Sequence, residues 1–173
     1  MPPEVVFRPA TAADLPAILT LLTDDPIARE RGSYASAPAP PLPAELGSTP
    51  QPGSSEVVPS AVRAAFAAID ADPRNELVVA DEGGAVVGTC QLTFIPGLSR
   101  GGAERMTIEA VRVRADRRGA GVGRRMMAYA LGRARERGCA LAQLTTDKRR
   151  TDAHRFYESL GFAASHEGMK LAL

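Results

Sequence analysis

The sequence predicts one α+β domain, residues 1–173, with a mixed and mostly antiparallel twisted sheet that contains one parallel strand pair and is flanked by about four helices. Three observations support this prediction. Apolar residues recur at helical spacing in some segments and alternate as in strands in others. A Gly-Gly turn at residues 81–84 separates two apolar runs, as in a β-hairpin. A strand, a glycine turn, a helix and another strand follow one another between residues 106 and 146, which favours a parallel crossover.

The first part of the chain predicts a strand, two helices and a long loop between them. Residues 5–7 form a short apolar run, and Thr11 with Asp14 fits a capped helix start before leucines at helical spacing. A second helix is predicted over residues 60–71. Residues 32–59 are rich in Pro, Gly and Ser and keep neither periodicity, so they are predicted to form a loop insertion.

The remainder of the chain predicts five strands and two helices. The predicted strands are 77–80, 85–94, 106–113, 140–146 and 169–172. The predicted helices run from the glycine turn to Gly138 and over residues 152–160. The second of these helices is short, and His154 and Glu158 are expected to pair on its outer face.

The composition predicts a soluble, cytoplasmic protein. The net charge of +1 gives no global basic field of the kind that drives non-specific binding to nucleic acid. The N-terminal residues lack the pattern of a signal peptide, and no apolar stretch is long enough to span a membrane. Cys90 and Cys139 are too far apart in sequence to suggest a disulfide framework. Two cysteines and two histidines without close spacing predict no metal site.

The most informative segment is the glycine turn at residues 119–123. It follows a strand and opens a helix, where free backbone N–H groups and the positive end of the helix dipole favour an anion. Six arginines lie between positions 112 and 125 against one acid, Asp116, which suits a diphosphate. The spacing fits neither a Walker loop nor a dinucleotide-binding fingerprint. On these residues alone, a tight connection with solvated arginines is an equal alternative.

The order and spacing of two motifs resemble a known enzyme family. Residues 118–123 match the Arg/Gln-x-x-Gly-x-Gly/Ala signature of the GCN5-related N-acetyltransferase (GNAT) family, and residues 108–113 resemble its fourth strand. Residues 153–162 are similar to its Ala-x-x-Phe-Tyr-x-x-x-Gly-Phe segment. The resemblance covers nearly all of the chain outside residues 30–60. It implies a GNAT-like domain with a splayed parallel strand pair, and direct transfer of acetyl from acetyl-CoA to a primary amine in a ternary complex.

The resemblance also implies which residues bind acetyl-CoA, with no metal. Backbone groups beside the pantetheine arm and N–H groups at the pyrophosphate are expected to make most of the contacts. Arg150 stands where the family often has Asn, so it either meets the phosphates or extends a basic run into solvent. The residues implied are Val111, Arg112, Val113, Arg118, Gly119, Ala120, Gly121, Val122, Gly123, Arg124 and Arg150.

Tyr157 and Glu109 are the candidate catalytic residues. Helical periodicity points Tyr157 inward, which by itself predicts a core tyrosine, whereas the resemblance places its hydroxyl near the CoA sulfur. Glu109 shares strand parity with Val111 and Val113, an unusual position for a carboxylate unless that face opens onto a cleft. Some family members use a glutamate there to take the ammonium proton. The alternative is a glutamate paired with one of the nearby arginines.

The acceptor implied is an amine of a small molecule or peptide, with no nucleic acid or membrane partner, and dimers are common among relatives. The loop at 32–59 is either an insertion without a role or a lid that helps to choose the acceptor. A catalytically weak acyl-CoA-binding sensor or scaffold of the same fold remains the alternative function. A nucleic-acid-binding module is disfavoured, because aromatic residues make up only 5% of the chain and no binding motif is recognisable.

Overall fold

The computed structural model describes residues 4–24 and 58–171, so residues 32–57 of the predicted loop lie outside the described part. The described residues form one five-stranded sheet, four helices and three shorter helical turns. The strands are β1 (Val5–Pro9), β2 (Asn75–Glu82), β3 (Ala85–Ile95), β4 (Arg105–Val113) and β5 (Leu141–Leu144). The helices are α1 (Leu15–Thr23), α2 (Ser60–Ala71), α3 (Val122–Glu136) and α4 (Thr151–Glu158), and the short turns are Ala12–Asp14, Ser99–Gly102 and Ala115–Arg117.

The sheet has the order β1-β2-β3-β4-β5 and confirms the predicted fold class. The first four strands pair antiparallel with their neighbours, and β4 pairs parallel with β5. Helix α3 connects these two parallel strands, as a crossover requires. Among the described helices, none is long and apolar enough to cross a membrane.

Each face of the sheet is covered by different helices. On the α3 face, buried side chains of β3 and β4 pack against Met126, Met127 and Ala130, which recur along one side of α3. Burial of each large side chain contributes about 1.5–3 kcal/mol relative to exposure. On the opposite face, which we call the α1–α2 face, Ile18 of α1 contacts Val79 of β2, with Phe66 of α2 beside them. The sheet therefore holds α3 in front of the parallel strand pair.

Strand β4 is interrupted by a bulge. Thr89 and Gln91 of β3 lie opposite Arg112 and Glu109 of β4, so three steps along β4 match two along β3. Ala110, within the bulge, has a φ of 52°. The pairing of β4 with β5 ends at Ile108 and Leu144, just before the bulge. The parallel pair is therefore splayed from Glu109 onward.

Two predictions about the end of the chain are wrong. Residues 169–171 form no strand, and Ala172 lies outside the described residues. Met169 and Leu171 are 96% and 85% exposed, so their alternation gains no burial that would favour a strand. His154 does not pair with Glu158, because its ring nitrogen lies 3.1 Å from the backbone carbonyl of Asp147.

A charge cluster joins β1, β2 and the start of α1. The guanidinium of Arg8 donates to both oxygens of Asp14, at 2.8 and 2.9 Å, and to Asp81 at 2.9 Å. The N–H of Thr11 also donates to Asp14, as the sequence predicts for a capping box. Asp14 is only 7% exposed. The hydrogen bonds from Arg8, with those from Thr11, lower the pKa of Asp14 to about 2.

We expect Asp14→Asn to destabilise the fold by about 1–2 kcal/mol at pH 7, a value reduced for screening because Arg8 is partly exposed. The native carboxylate stays ionised down to about pH 2, whereas the unfolded one takes a proton near pH 3.9. The contribution is therefore present above about pH 4 and is lost as pH falls to 2. Urea unfolding of both proteins at pH 7 and across that interval measures it. Asp116→Asn, at an exposed carboxylate, is the control and should stay near wild type; a difference that does not shrink at low pH would contradict the assignment.

Candidate active site

The splayed strands β4 and β5 open a cleft of about 250 Å³. Residues 108–112 of β4 form one wall, and residues 145–147, which follow β5, form the other. Arg150 and Tyr157 of the α4 region reach the cleft, together with Lys170 near the end of the described chain. The cleft therefore contains both predicted catalytic residues.

The glycine turn lies between β4 and α3. Gly119 and Gly121 have φ values of 78° and 80°, which side-chain-bearing residues rarely adopt, and a Cβ on either would meet no atom within 4 Å. The first backbone bond of α3 runs from the N–H of Arg125 to the carbonyl of Gly121, at 3.1 Å. The N–H groups of residues 122–124 precede it and have no acceptor within the helix. This turn is thus an open cradle of N–H groups at the positive end of a helix.

All six arginine side chains between positions 112 and 125 bond to the protein itself. Four of them flank the turn at positions 117, 118, 124 and 125, and their contacts connect it to β1, β2, β4 and the end of α4. The acceptors are the carbonyl of Val111 for Arg112, Asp116 for Arg114, Glu82 for Arg117, the carbonyl of Val113 for Arg118, Ser159 for Arg124 and the carbonyl of Val5 for Arg125. These side chains are thus tied to the protein, whereas the backbone N–H groups of residues 122–124 have no acceptor within the helix.

The start of α3 also positions α4. Arg124 donates to the hydroxyl of Ser159 at 2.9 Å, and that hydroxyl donates to the carbonyl of Phe156 at 2.7 Å. A Cβ on Gly123 would lie 3.6 Å from the Phe156 ring, an ordinary van der Waals contact. Tyr157 is adjacent to this ring. The glycine turn and the candidate acid are therefore held by one set of contacts.

Tyr157 packs its ring against the core on the α3 face. Its centroid lies 5.2 Å from that of Phe156 and 6.0 Å from that of Phe162, which it meets edge to face. Burial raises the pKa of Tyr157 above its ordinary value, and the positive charges of Arg112 and Arg150 partly offset this. The hydroxyl is therefore protonated at neutral pH and able to donate a proton.

Glu109 reaches the cleft from the other face of the sheet. It is exposed and lies opposite Gln91, next to Ile108, whose side chain is buried on the α3 face. The predicted parity with Val111 is wrong, because the bulge returns Val111 to the α3 face, where it packs on the core. Glu109 thus approaches the cleft from the α1–α2 face and Tyr157 from the α3 face.

Sequence reasoning missed one wall of the cleft. Residues 145–147 follow a strand without any recognisable motif, and Lys170 was predicted to be an ordinary strand residue. The irregular segment that carries Lys170 has no periodicity from which its position could be inferred. Arg150, for which solvent was one alternative, lies in the cleft and is half-buried. In the described ranges no three His, Cys, Asp or Glu side chains are grouped so that they could hold a metal ion.

Comparison with known proteins identifies the family. Residues 44–162, more than half of the chain, match the profile of the acetyltransferase (GNAT) family. The chain belongs to this family. The aminoalkylphosphonate N-acetyltransferase of Salmonella typhimurium (strain LT2) is 36% identical over 106 residues, which cover 61% of this chain and 68% of that protein.

Two solved structures extend the similarity to 98% of this GNAT protein. A transcriptional regulator from Bacillus halodurans C-125 is 41% identical, with a TM-score of 0.82 over 98% of this chain and 100% of that one. An acetyltransferase from Trypanosoma brucei is 27% identical, with a TM-score of 0.68 over 98% and 100%. The splayed strands and the glycine turn described above therefore belong to an acetyltransferase fold.

We expect Gly121→Asp to weaken binding of coenzyme A by about tenfold or more, because a carboxylate at the cradle repels a diphosphate. Gly121→Asn is the matched control, since Asn has the same size and also tolerates a positive φ. Calorimetry should show near wild-type binding for Gly121→Asn, and thermal unfolding should be equal for the two variants. Equal affinity of both variants would exclude a phosphate at this turn.

Proposed function

We propose that this GNAT protein is an acetyl-CoA-dependent N-acetyltransferase that transfers acetyl directly to the primary amine of a small molecule. The observation that carries the proposal is the cleft between β4 and β5, where a half-buried phenol and an exposed carboxylate approach from opposite faces of the sheet. The family supports the acetyl donor. The similarity to an enzyme named for aminoalkylphosphonate supports a small acceptor over a peptide.

The edge of β4 fits the pantetheine arm of acetyl-CoA. Beyond Ile108 this edge has no β5 partner. The carbonyls of Val111 and Val113 accept hydrogen bonds from the side chains of Arg112 and Arg118, at 2.9 and 3.1 Å. Neither carbonyl has a partner on β5, and each has a second lone pair that can accept an amide N–H group of pantetheine.

The glycine turn fits the pyrophosphate. Its open positions at Gly119 and Gly121 let the backbone approach a phosphate, and residues 122–124 supply N–H donors. We assign the contacts of residues 118–124 to their backbone, because the side chains of Arg118 and Arg124 bond to Val113 and Ser159. Arg150 adds a positive charge within the cleft.

We assign one proton transfer to Glu109 and another to Tyr157. An alkyl ammonium has a pKa of about 10.4, so the acceptor must lose a proton before its nitrogen can attack. We assign this proton to the carboxylate of Glu109, directly or through water. The thioester supplies the activated acetyl group. Tyr157 holds its proton at neutral pH and donates it to the leaving sulfur, a modest contribution because thiols have a pKa of about 8.5.

The cysteines favour direct transfer in a ternary complex. Cys90 is buried, and burial raises the pKa of its thiol to about 12. Burial also raises the pKa of Cys139. A thiol nucleophile acts as its thiolate, which these two groups disfavour near neutral pH. Neither cysteine is thus suited to carry the acetyl group between donor and acceptor.

A sensor that binds acyl-CoA without turnover is the second candidate function. The similarity to a protein described as a transcriptional regulator favours it. Glu109 and Tyr157 in one cleft favour catalysis instead. Release of CoA thiol from acetyl-CoA in the presence of varied primary amines tests the proposal: an enzyme releases thiol in proportion to the amine acetylated, whereas a sensor binds acetyl-CoA and releases none.

We expect Tyr157→Phe to lower kcat by about 10- to 100-fold, the lower part of the range for acid–base residues, because thiolate is a good leaving group. The KM for acetyl-CoA should change little, since only a hydroxyl is removed. In the native protein the acid is lost only above its raised pKa, so wild-type kcat should hold through neutral pH and fall at strongly alkaline pH. A wild-type kcat for Tyr157→Phe at neutral pH would show that Tyr157 serves only in packing and not as the acid.

Glu109→Gln should change the pH profile rather than the fold. The loss should be greatest below pH 8 and should diminish as pH rises, because free amine then forms without a base. Glu158→Gln, at an exposed site on α4, is the control and should keep the wild-type profile. Steady-state rates between pH 6 and 10 measure the effect. A loss of equal size at every pH would indicate a structural role for Glu109.

A further inference from the structure

The cleft contains more positive charge than an amine acceptor without an anionic group requires. Arg112, Arg150 and Lys170 line it, against the carboxylates of Glu109 and Asp147. Asp147 is largely committed to the protein, since its side chain is 11% exposed and bonds to the guanidinium of Arg149 at 3.1 Å. Glu109 is thus the accessible acid among three cations.

Lys170 is held at the cleft by contacts of the residues that precede it in the chain. Glu167 forms an ion pair with Lys148 at 3.0 Å, which ties the irregular C-terminal segment to the residues after β5. A Cβ on Gly168 would lie 3.8 Å from the methyl group of Thr145, so the two stretches run in close contact. Within residues 4–24 and 58–171, Lys170 itself forms no ion pair. An exposed ammonium held without a carboxylate partner is suited to bind an anion.

We propose that the acceptor is a zwitterionic amine, which carries a carboxylate, phosphonate or phosphate close to its amino group, and that Lys170 binds this anion. The inference rests on the proposed acetyl transfer and names its substrate class. Glu109 faces the ammonium end, and Lys170 on the opposite wall selects the anionic end. The carboxylate of Glu109 and the ammonium of Lys170 orient such a molecule with its nitrogen toward β4. Lys170 is therefore a specificity-determining residue, and the chemistry itself stays with Glu109 and Tyr157.

The test uses three amines with the same two-carbon chain: 2-aminoethylphosphonate, β-alanine and ethanolamine. They differ only in whether the far end is a phosphonate, a carboxylate or a neutral hydroxyl. Wild type should acetylate at least one anionic amine with a higher kcat/KM than ethanolamine, and the better of the two identifies the anion. Loss of one charged contact should lower kcat/KM for that amine by about 10- to 100-fold in Lys170→Ala, mainly through KM. Lys170→Arg should restore it, and Lys170→Glu should lower it further.

Ethanolamine turnover and the KM for acetyl-CoA should stay within about twofold of wild type in Lys170→Ala. Arg155→Ala is the control for loss of a surface cation, because Arg155 is exposed on α4 and pairs with Asp152 outside the cleft. It should change none of these constants. An equal loss for ethanolamine, or a raised KM for acetyl-CoA, would overturn the assignment of Lys170.

Different experimental results would contradict this inference and the proposed function. Thiol release with ethanolamine or larger neutral amines, at rates equal to those with the anionic ones, contradicts the zwitterionic class and leaves acetyl transfer intact. Turnover of primary amines that carry no anionic group, without turnover of either anionic amine, has the same meaning. Absence of thiol release with every amine, while acetyl-CoA binds, contradicts the proposed function and the inference together.

Discussion

The end of hydrogen bonding between β4 and β5 is the constraint on which the site depends. Parallel strands normally bond along their shared length, but here pairing stops at Ile108 and Leu144 because the bulge turns β4 away. Beyond this point the carbonyls of Val111 and Val113 have no partner on β5, and each accepts a hydrogen bond from an arginine side chain instead. The gap between the strands also allows residues from both faces of the sheet to line the cleft. Without the bulge, continued pairing would close the gap in which the two candidate catalytic groups meet.

The helices and most strands could be predicted because side-chain periodicity is a local property. Helix α2 has the predicted bounds, β2 extends the predicted strand by two residues at each end, and β3 extends it by one residue. The bulge could not be predicted in this way, since it depends on how two strands pair, and Ala110 carries no local signal. For that reason the parity assigned to Glu109 was wrong, although the residue does line the cleft.

The arginine-rich turn shows why a count of charges is a weak guide to a binding site. Every arginine from position 112 to 125 bonds to the protein itself, and several of these contacts join separate parts of the fold, such as Arg117 with Glu82. Lys170 is the opposite case. It lies outside both motifs of the sequence and yet reaches the cleft through a segment without regular structure. Which cations are available to a ligand is decided by tertiary contacts, and these are not local.

The conformation of Ala110 limits what evolution can place there. A φ of 52° brings a Cβ close to the following carbonyl oxygen, which costs about 1–2 kcal/mol for most residues and more for β-branched ones. Gly adopts this geometry without that cost, and Asn and Asp adopt it more readily than other residues, so the amino acids favoured at position 110 form a short list. Its neighbours face no such backbone limit, so the side chains that line the cleft at other positions can change while the backbone of residue 110 keeps its conformation. The lining of the cleft can thus vary without a change in the bulge beside it.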